Sequence, residues 1–213
     1  MKTGDLIKAL SLEVPPVRPS AMRRDFARWV IPAAAVSVAV MLGTIGLRPD
    51  LRQALEHPAI WTKFFIVGSL GMTGFIAAMR SSQPERTGAP WIGVFFAVVV
   101  MAGIAGAVQL FGYDESQWMM LWLGSTSAQC PFIIAGLALP ILAAALWVMG
   151  RCAPSNLRLA GAAAGIFAGG LSALVYSFHC SEAPIAFVAT WYVGGIVAVG
   201  ALGALIGPRV LRW

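Results

Sequence analysis

The chain has 213 residues, 59% of them apolar and only 11% charged, with a mean hydropathy of +0.79. A soluble domain carries about 25% charged residues, so a water-exposed fold is excluded and lipid must solvate most of this chain. The net charge of +6 would suggest nucleic acid in a soluble protein; here the basic residues sit at the ends of apolar runs, where they set membrane orientation, and no direct nucleic-acid contact is expected.

In chain order, residues 1–27 read as a short tail and residues 28–213 as a transmembrane domain. In the tail, Thr3 or Asp5 is a candidate helix cap. Leu6, Ile7 and Leu10 follow at i, i+1 and i+4, on one apolar face. Pro15, Pro16 and Pro19 then stop the helix and stiffen the chain. A helix of about ten residues is marginal alone in water, so this face needs a partner. The membrane surface and a groove on a soluble protein both fit. Arg23-Arg24-Asp25-Phe26 resembles a twin-arginine export signal. Five further apolar runs follow with no small-x-small cleavage site, so it reads as a basic anchor.

Six apolar runs are each long enough to cross a bilayer: roughly 29–47, 60–79, 91–111, 131–149, 157–178 and 184–206. The fold class is therefore an all-α membrane protein, a six-transmembrane-helix bundle. On the fifth run Gly161, Gly165 and Gly169 recur at spacing four, which lets helix backbones approach closely. That face would serve an internal contact or a dimer equally well. Twelve of the fifteen basic residues fall on one side: Lys2, Lys8, Arg18, Arg23, Arg24, Arg28, Arg80, Arg86, Arg151, Arg158, Arg209 and Arg212. Arg48, Arg52 and Lys63 fall on the other. The excess of positive charge predicts that both termini are cytoplasmic and that the protein sits in a bacterial inner membrane.

Little chain remains outside the spans, and no phosphate-binding loop, nucleophile elbow or His-Glu-x-x-His occurs in it. No enzyme activity and no resident cofactor are expected. The span interiors hold almost no charge, with Gln109 the one strongly polar amide. A transport pathway would need such groups, which weakens the alternative reading of a small transporter or channel subunit.

The cysteines are the other feature. Cys130 and Cys180 both fall on the outer side in this topology, where the compartment permits disulfides. Cys152 lies at the far end of the fourth span, about 33 Å from Cys130 along a helix, and reads as a small buried apolar residue. Two readings of Cys130 and Cys180 stand side by side. One is a structural disulfide. The other is a sensor that oxidises or binds a soft heavy-metal ion, with His179 or Glu182 in support.

Three blocks then point to a family. They are Thr3-Gly-Asp-Leu-Ile-Lys-Ala-Leu10 with Pro15-Pro16-Val17-Arg18, Trp122-Leu-Gly-Ser-Thr-Ser-Ala-Gln-Cys130-Pro131, and His179-Cys180-x-Glu182 with Trp191-Tyr192 and the terminal Gly207-Pro-Arg209-Val-Leu-Arg212-Trp213. Together they resemble the NrsF family of membrane anti-sigma factors along the whole chain. The middle block departs at Ser127, where the family pattern often carries Trp. The resemblance implies a tail that binds an extracytoplasmic-function sigma factor through Leu6, Ile7 and Leu10. It also implies a periplasmic sensor in Cys130 and Cys180, triggered by heavy-metal or oxidative stress.

Overall fold

A computed structural model describes residues 3–5, 8 and 21–212. Thr3, Gly4, Asp5 and Lys8 are helical. Leu6, Ile7 and Leu10, expected to bind the sigma factor, lie outside the described residues.

The helices are α1 (Ala21–Thr44), α2 (Leu51–Ala54), α3 (Pro58–Ser81), α4 (Ala89–Phe111), α5 (Glu115–Leu123), α6 (Cys130–Met149) and α7 (Leu157–Tyr176). The last span is continuous but has three parts: α8 (Ile185–Phe187), a π-helical turn (Val188–Tyr192) and α9 (Val193–Val210). Among the described residues there is no strand. Six of these stretches are long and apolar enough to cross a membrane, with the last counted as Ile185–Val210.

Local chemistry explains most helix ends. Proline occupies the first turn of α3, α4 and α6, where a missing N–H costs nothing. Asn156 caps α7, its side-chain oxygen accepting from the Leu159 N–H at 3.0 Å. The first span starts at Ala21, upstream of Trp29, because Phe26 is buried between Phe75 and Phe167. It stops at Thr44, short of Leu47, because Gly46 turns left-handed at φ 74° and its N–H bonds back to the Met41 carbonyl at 2.9 Å. α5 lies outside the six spans. It has no buried residue and carries Met119 and Met120 outward, as an interfacial helix does.

α7 is the central helix, with 72% of its span buried against 17% for α4. Its glycine face meets α9. A Cβ on Gly161 would overlap the Gly203 carbonyl, one on Gly165 would overlap that of Val199, and one on Gly169 would come within 3.0 Å of the Ile196 Cα. Gly170 meets Gly71 of α3 in the same way. The small-residue face is therefore an internal contact of the bundle. Serines add polar ties between spans: Ser37 of α1 donates to the Leu137 carbonyl at 2.8 Å, and Ser172 of α7 lies 2.9 Å from that of Ile134. Large apolar side chains such as Ile31, Phe65, Val108 and Phe132 point outward, toward the lipid.

Because the span number is even, Ala21 and Arg212 lie at one end of the bundle. That end carries the exposed arginines 23, 24, 80, 86, 151, 158, 209 and 212. The opposite end carries the loops 45–57, 112–129 and 177–184, and with them Cys130 and Cys180.

Candidate functional site

The site grows from two turns. After α5, Gly124 adopts φ 54° and ψ −159°, a conformation essentially reserved for glycine. The lack of a side chain there also leaves room for the Glu182 carboxylate, whose carbon would lie 2.6 Å from a Cβ. Ser125 then donates to Glu182 Oε1 from both its N–H and its Oγ, each at 2.9 Å. The turn is further fixed by Trp191 Nε1 donating to the Trp122 carbonyl at 2.8 Å and by Trp122 Nε1 donating to Thr190 Oγ1 at 3.1 Å. It brings Thr126 and Cys130 inward.

After α7 the chain keeps turning, and the Cys180 N–H donates to the Tyr176 carbonyl at 3.1 Å. This places the Cys180 sulfur 4.0 Å from that of Cys130. Both are free thiols and both are buried. Thr126 Oγ1 touches both sulfurs, at 3.4 and 3.8 Å, and the Tyr176 hydroxyl lies 3.3 Å from Cys130 Sγ. A disulfide needs about 2.05 Å between the sulfurs, so closure requires them to approach by about 2 Å.

The electrostatics favour Cys180 as the reactive sulfur. Its thiol is pushed down to about 5, first by a hydrogen bond from Cys130 and then by the Lys63 ammonium, against the cost of burial. Thiolates are the nucleophiles and metal ligands in cysteine chemistry.

Lys63 lies at the end of the bundle to which the charge count assigned it, but its part in the site was not foreseen. It reads as a charge at the rim of the second span, yet it is 2% exposed. Its Nζ donates to the carbonyls of Cys180 at 3.0 Å and Glu182 at 2.8 Å, and lies 4.5 Å over the ring of Tyr192. Its position in Trp61-Thr62-Lys63-Phe64-Phe65, one turn inside an apolar helix, is the signal that could have found it. Thr126 and Tyr192 fall inside the blocks that carry the family resemblance, although nothing in the sequence gave them a role, and Tyr176 had no signal. The Tyr192 hydroxyl is buried, with Cys180 among the groups acting on it, and belongs to the π-helical turn, a feature frequent at functional sites.

The two supporting residues are placed near the pair but face elsewhere. His179 Nδ1 donates to the Gly46 carbonyl at 2.9 Å, and its ring packs on Tyr176. Glu182 spends its carboxylate on Ser125. Among the described residues no three His, Cys, Asp or Glu side chains converge, so an ion here would find two sulfurs. Gln109 has a structural part: its Oε1 accepts from the Ala186 N–H at 3.2 Å, at the start of the last span. Cys152 is half-buried, and burial pushes its thiol up.

Six spanning helices with a buried thiol pair at one end define a polytopic membrane protein. This chain belongs to the NrsF family: residues 10–213 match the family model described as negative regulator of sigma F. It is 36% identical to the anti-sigma-F factor NrsF of Caulobacter vibrioides (strain NA1000 / CB15N) over 216 aligned residues. It is also 36% identical to the probable anti-sigma-F factor NrsF of Azospira oryzae (strain ATCC BAA-33 / DSM 13638 / PS) over 214. Both matches cover the whole of each chain. No solved structure matches it. The family is one of regulators rather than catalysts.

Proposed function

We propose that this chain is an inner-membrane anti-sigma factor with both termini in the cytoplasm. Its tail, through Leu6, Ile7 and Leu10, holds an extracytoplasmic-function sigma factor away from RNA polymerase. A periplasmic oxidant or soft heavy metal reacts with Cys130 and Cys180, and the sigma factor is released. Full-length membership of the NrsF family supports the regulatory role. The observation that carries the sensing part is the buried pair of free thiols 4.0 Å apart, at the end of the bundle away from the described chain ends.

The switch has a physical route. Joining the sulfurs draws the start of α6 toward the loop after α7. Ser172 on α7 already reaches the Ile134 carbonyl on α6, and α7 meets α9 through glycines that leave no slack. Packed helices of this kind have discrete arrangements rather than continuous ones. Moving the tail from about 99:1 to 1:99 occupancy needs a bias of about 5.5 kcal/mol. A disulfide or a metal bond is of that order, and a neutral hydrogen bond is not.

The test is co-purification with the sigma factors of the same cell. Wild type should bring one down, and the Leu6→Ala, Ile7→Ala, Leu10→Ala tail should lose it. Exposure to a hydroperoxide or to cadmium should release it from wild type but not from Cys130→Ser, Cys180→Ser protein. Normal release from the double variant would sink the sensor reading while leaving the tail reading intact.

A further inference from the structure

Lys63 sits in the second turn of α3 with almost no solvent around it. The Glu182 carboxylate, in the same loop, is turned to Ser125 and not to the Lys63 ammonium. A buried ammonium is costly unless it is hydrogen-bonded and faces negative charge, and the anionic group nearest to this one in the site is the Cys180 sulfur. What compensates it is directional. The two carbonyls it bonds belong to Cys180 and Glu182, the residues on either side of Ser181 in one short loop, and the face of Tyr192 closes the other side.

That loop is held from two directions. Lys63 grips its backbone from α3. The Glu182 carboxylate grips the turn after α5 through Ser125, and the next residue, Thr126, touches both sulfurs. The segment that carries Cys180 is thus aligned on Cys130 by a cation on one side and a carboxylate on the other. Backbone N–H groups would satisfy neither of those carbonyls here, because the loop has left the helix.

We propose that Lys63 is the positioning residue of the thiol pair: its ammonium, bonded to the Cys180 and Glu182 carbonyls, holds the Cys180 sulfur where it reacts with Cys130. This rests on the reading of Cys130 and Cys180 as a reactive pair. With a hydroperoxide as oxidant, the Cys180 sulfur attacks the terminal peroxide oxygen, the O–O bond breaks, and an alcohol leaves. The Cys130 sulfur then displaces the new oxygen from Cys180 as water. One S–S bond forms, and the two thiols give up two electrons and two protons to the peroxide. The second step depends on alignment, because the sulfurs must close a gap of about 2 Å.

The experiment uses the full-length reduced protein in lipid nanodiscs, in a Cys152→Ser background, with tert-butyl hydroperoxide as the probe. The rate of Cys130–Cys180 disulfide formation is followed by mass spectrometry of alkylated peptides. Lys63→Met should slow it by about tenfold or more, the effect of losing a charge-assisted bond. Lys63→Arg keeps the charge and the donors and should restore the rate to within about threefold. Lys63→Met at the wild-type rate overturns the proposal. So does Lys63→Arg as slow as Lys63→Met, because the role is then packing alone. If Lys63→Met does not fold, Lys63→Gln takes its place: a slowed rate supports the proposal and an unchanged rate overturns it. If wild type itself forms no such disulfide, the reactive-pair reading fails and the positioning role falls with it.

Discussion

At the cysteine end, Lys63 is buried and bonded to two carbonyls, and Cys180 has its thiol pushed down to about 5. At the arginine end, Arg80 and Arg151 lie exposed over the rings of Trp91 and Trp147, and Cys152 has its thiol pushed up by burial, with the nearby Asp25 charge adding to it. The same residue types serve both ends. What differs is the surrounding chain. The arginine end has short connections and leaves its charges to water and headgroups, which suits topology marking. The cysteine end has three longer connections that fold over one another, and they enclose a cation, two tyrosines and two thiols. A charge exposed at a rim orients a protein; a charge enclosed in loops organises a site.

Both ends depend on the glycine contact between α7 and α9 to stay in register, so the largest expected effect lies there. Gly165→Val should cost about 3 kcal/mol or more, since a Cβ meets the Val199 carbonyl and a branched side chain has nowhere to go. Gly103→Ala, with nothing within 4 Å of the added Cβ, should stay within about 0.5 kcal/mol. Thermal unfolding in detergent, followed by size-exclusion chromatography, separates them. Equal stability of the two variants would mean that the α7–α9 contact is not what holds the ends together.

The next effect is confined to the cysteine end. Gly124→Ala places a side chain at φ 54° and ψ −159°, at a cost of about 1–3 kcal/mol. It also pushes the Glu182 carboxylate off Ser125. The reduced protein should melt lower and form its disulfide more slowly, while alkylation of Cys152 stays unchanged. A variant that also altered Cys152 would show that the two ends are not independent.

The contrast between the cysteines has a pH signature. Cys180 is ionised above about pH 5, so its alkylation by iodoacetamide should reach its plateau near neutral pH. Cys152 is raised by burial, so its rate should still be climbing above pH 9. The sign for stability follows. A lowered thiol contributes stability that is fully present above its ordinary value near 9 and is lost as pH falls through about 5. Cys180→Ser should therefore flatten the dependence of melting temperature on pH between about 5 and 9. Coincident alkylation profiles for the two cysteines would erase the distinction.

Much of this was legible in the sequence. The six spans follow from hydropathy, because lipid leaves a helix few other options. Gly161, Gly165 and Gly169 announced a close contact, although only the packing shows that its partner is α9. Cys130 and Cys180 fell on one side by counting spans. Lys63 was hidden because a basic residue near a span end is ordinarily a topology marker, and only the fold of the 177–184 loop encloses it. Thr126 and Tyr192 were hidden for a similar reason: their contacts run 54 residues away to Cys180 or come from a π-helical turn, which has no local sequence signature. The tail anchors Leu6, Ile7 and Leu10 rest on periodicity and the family resemblance.

The smallest expected effect tests whether polar ties within the spans matter as much as the polar ends. Ser37 is fully buried in α1 and donates to the Leu137 carbonyl of α6 at 2.8 Å. In lipid such a bond is worth only about 0.6 kcal/mol on average, because an unfolded helix still finds another acceptor for its hydroxyl. Ser37 has one at hand in the Ala33 carbonyl of its own helix, at 3.2 Å. Ser37→Ala should thus cost less than about 1 kcal/mol and leave the rate of Cys130–Cys180 closure unchanged. A loss several times larger in thermal unfolding would mean that α1, which leads directly from the tail, is held to α6 by this bond more tightly than by packing. Ser37 would then join the route proposed above from α6 to the tail.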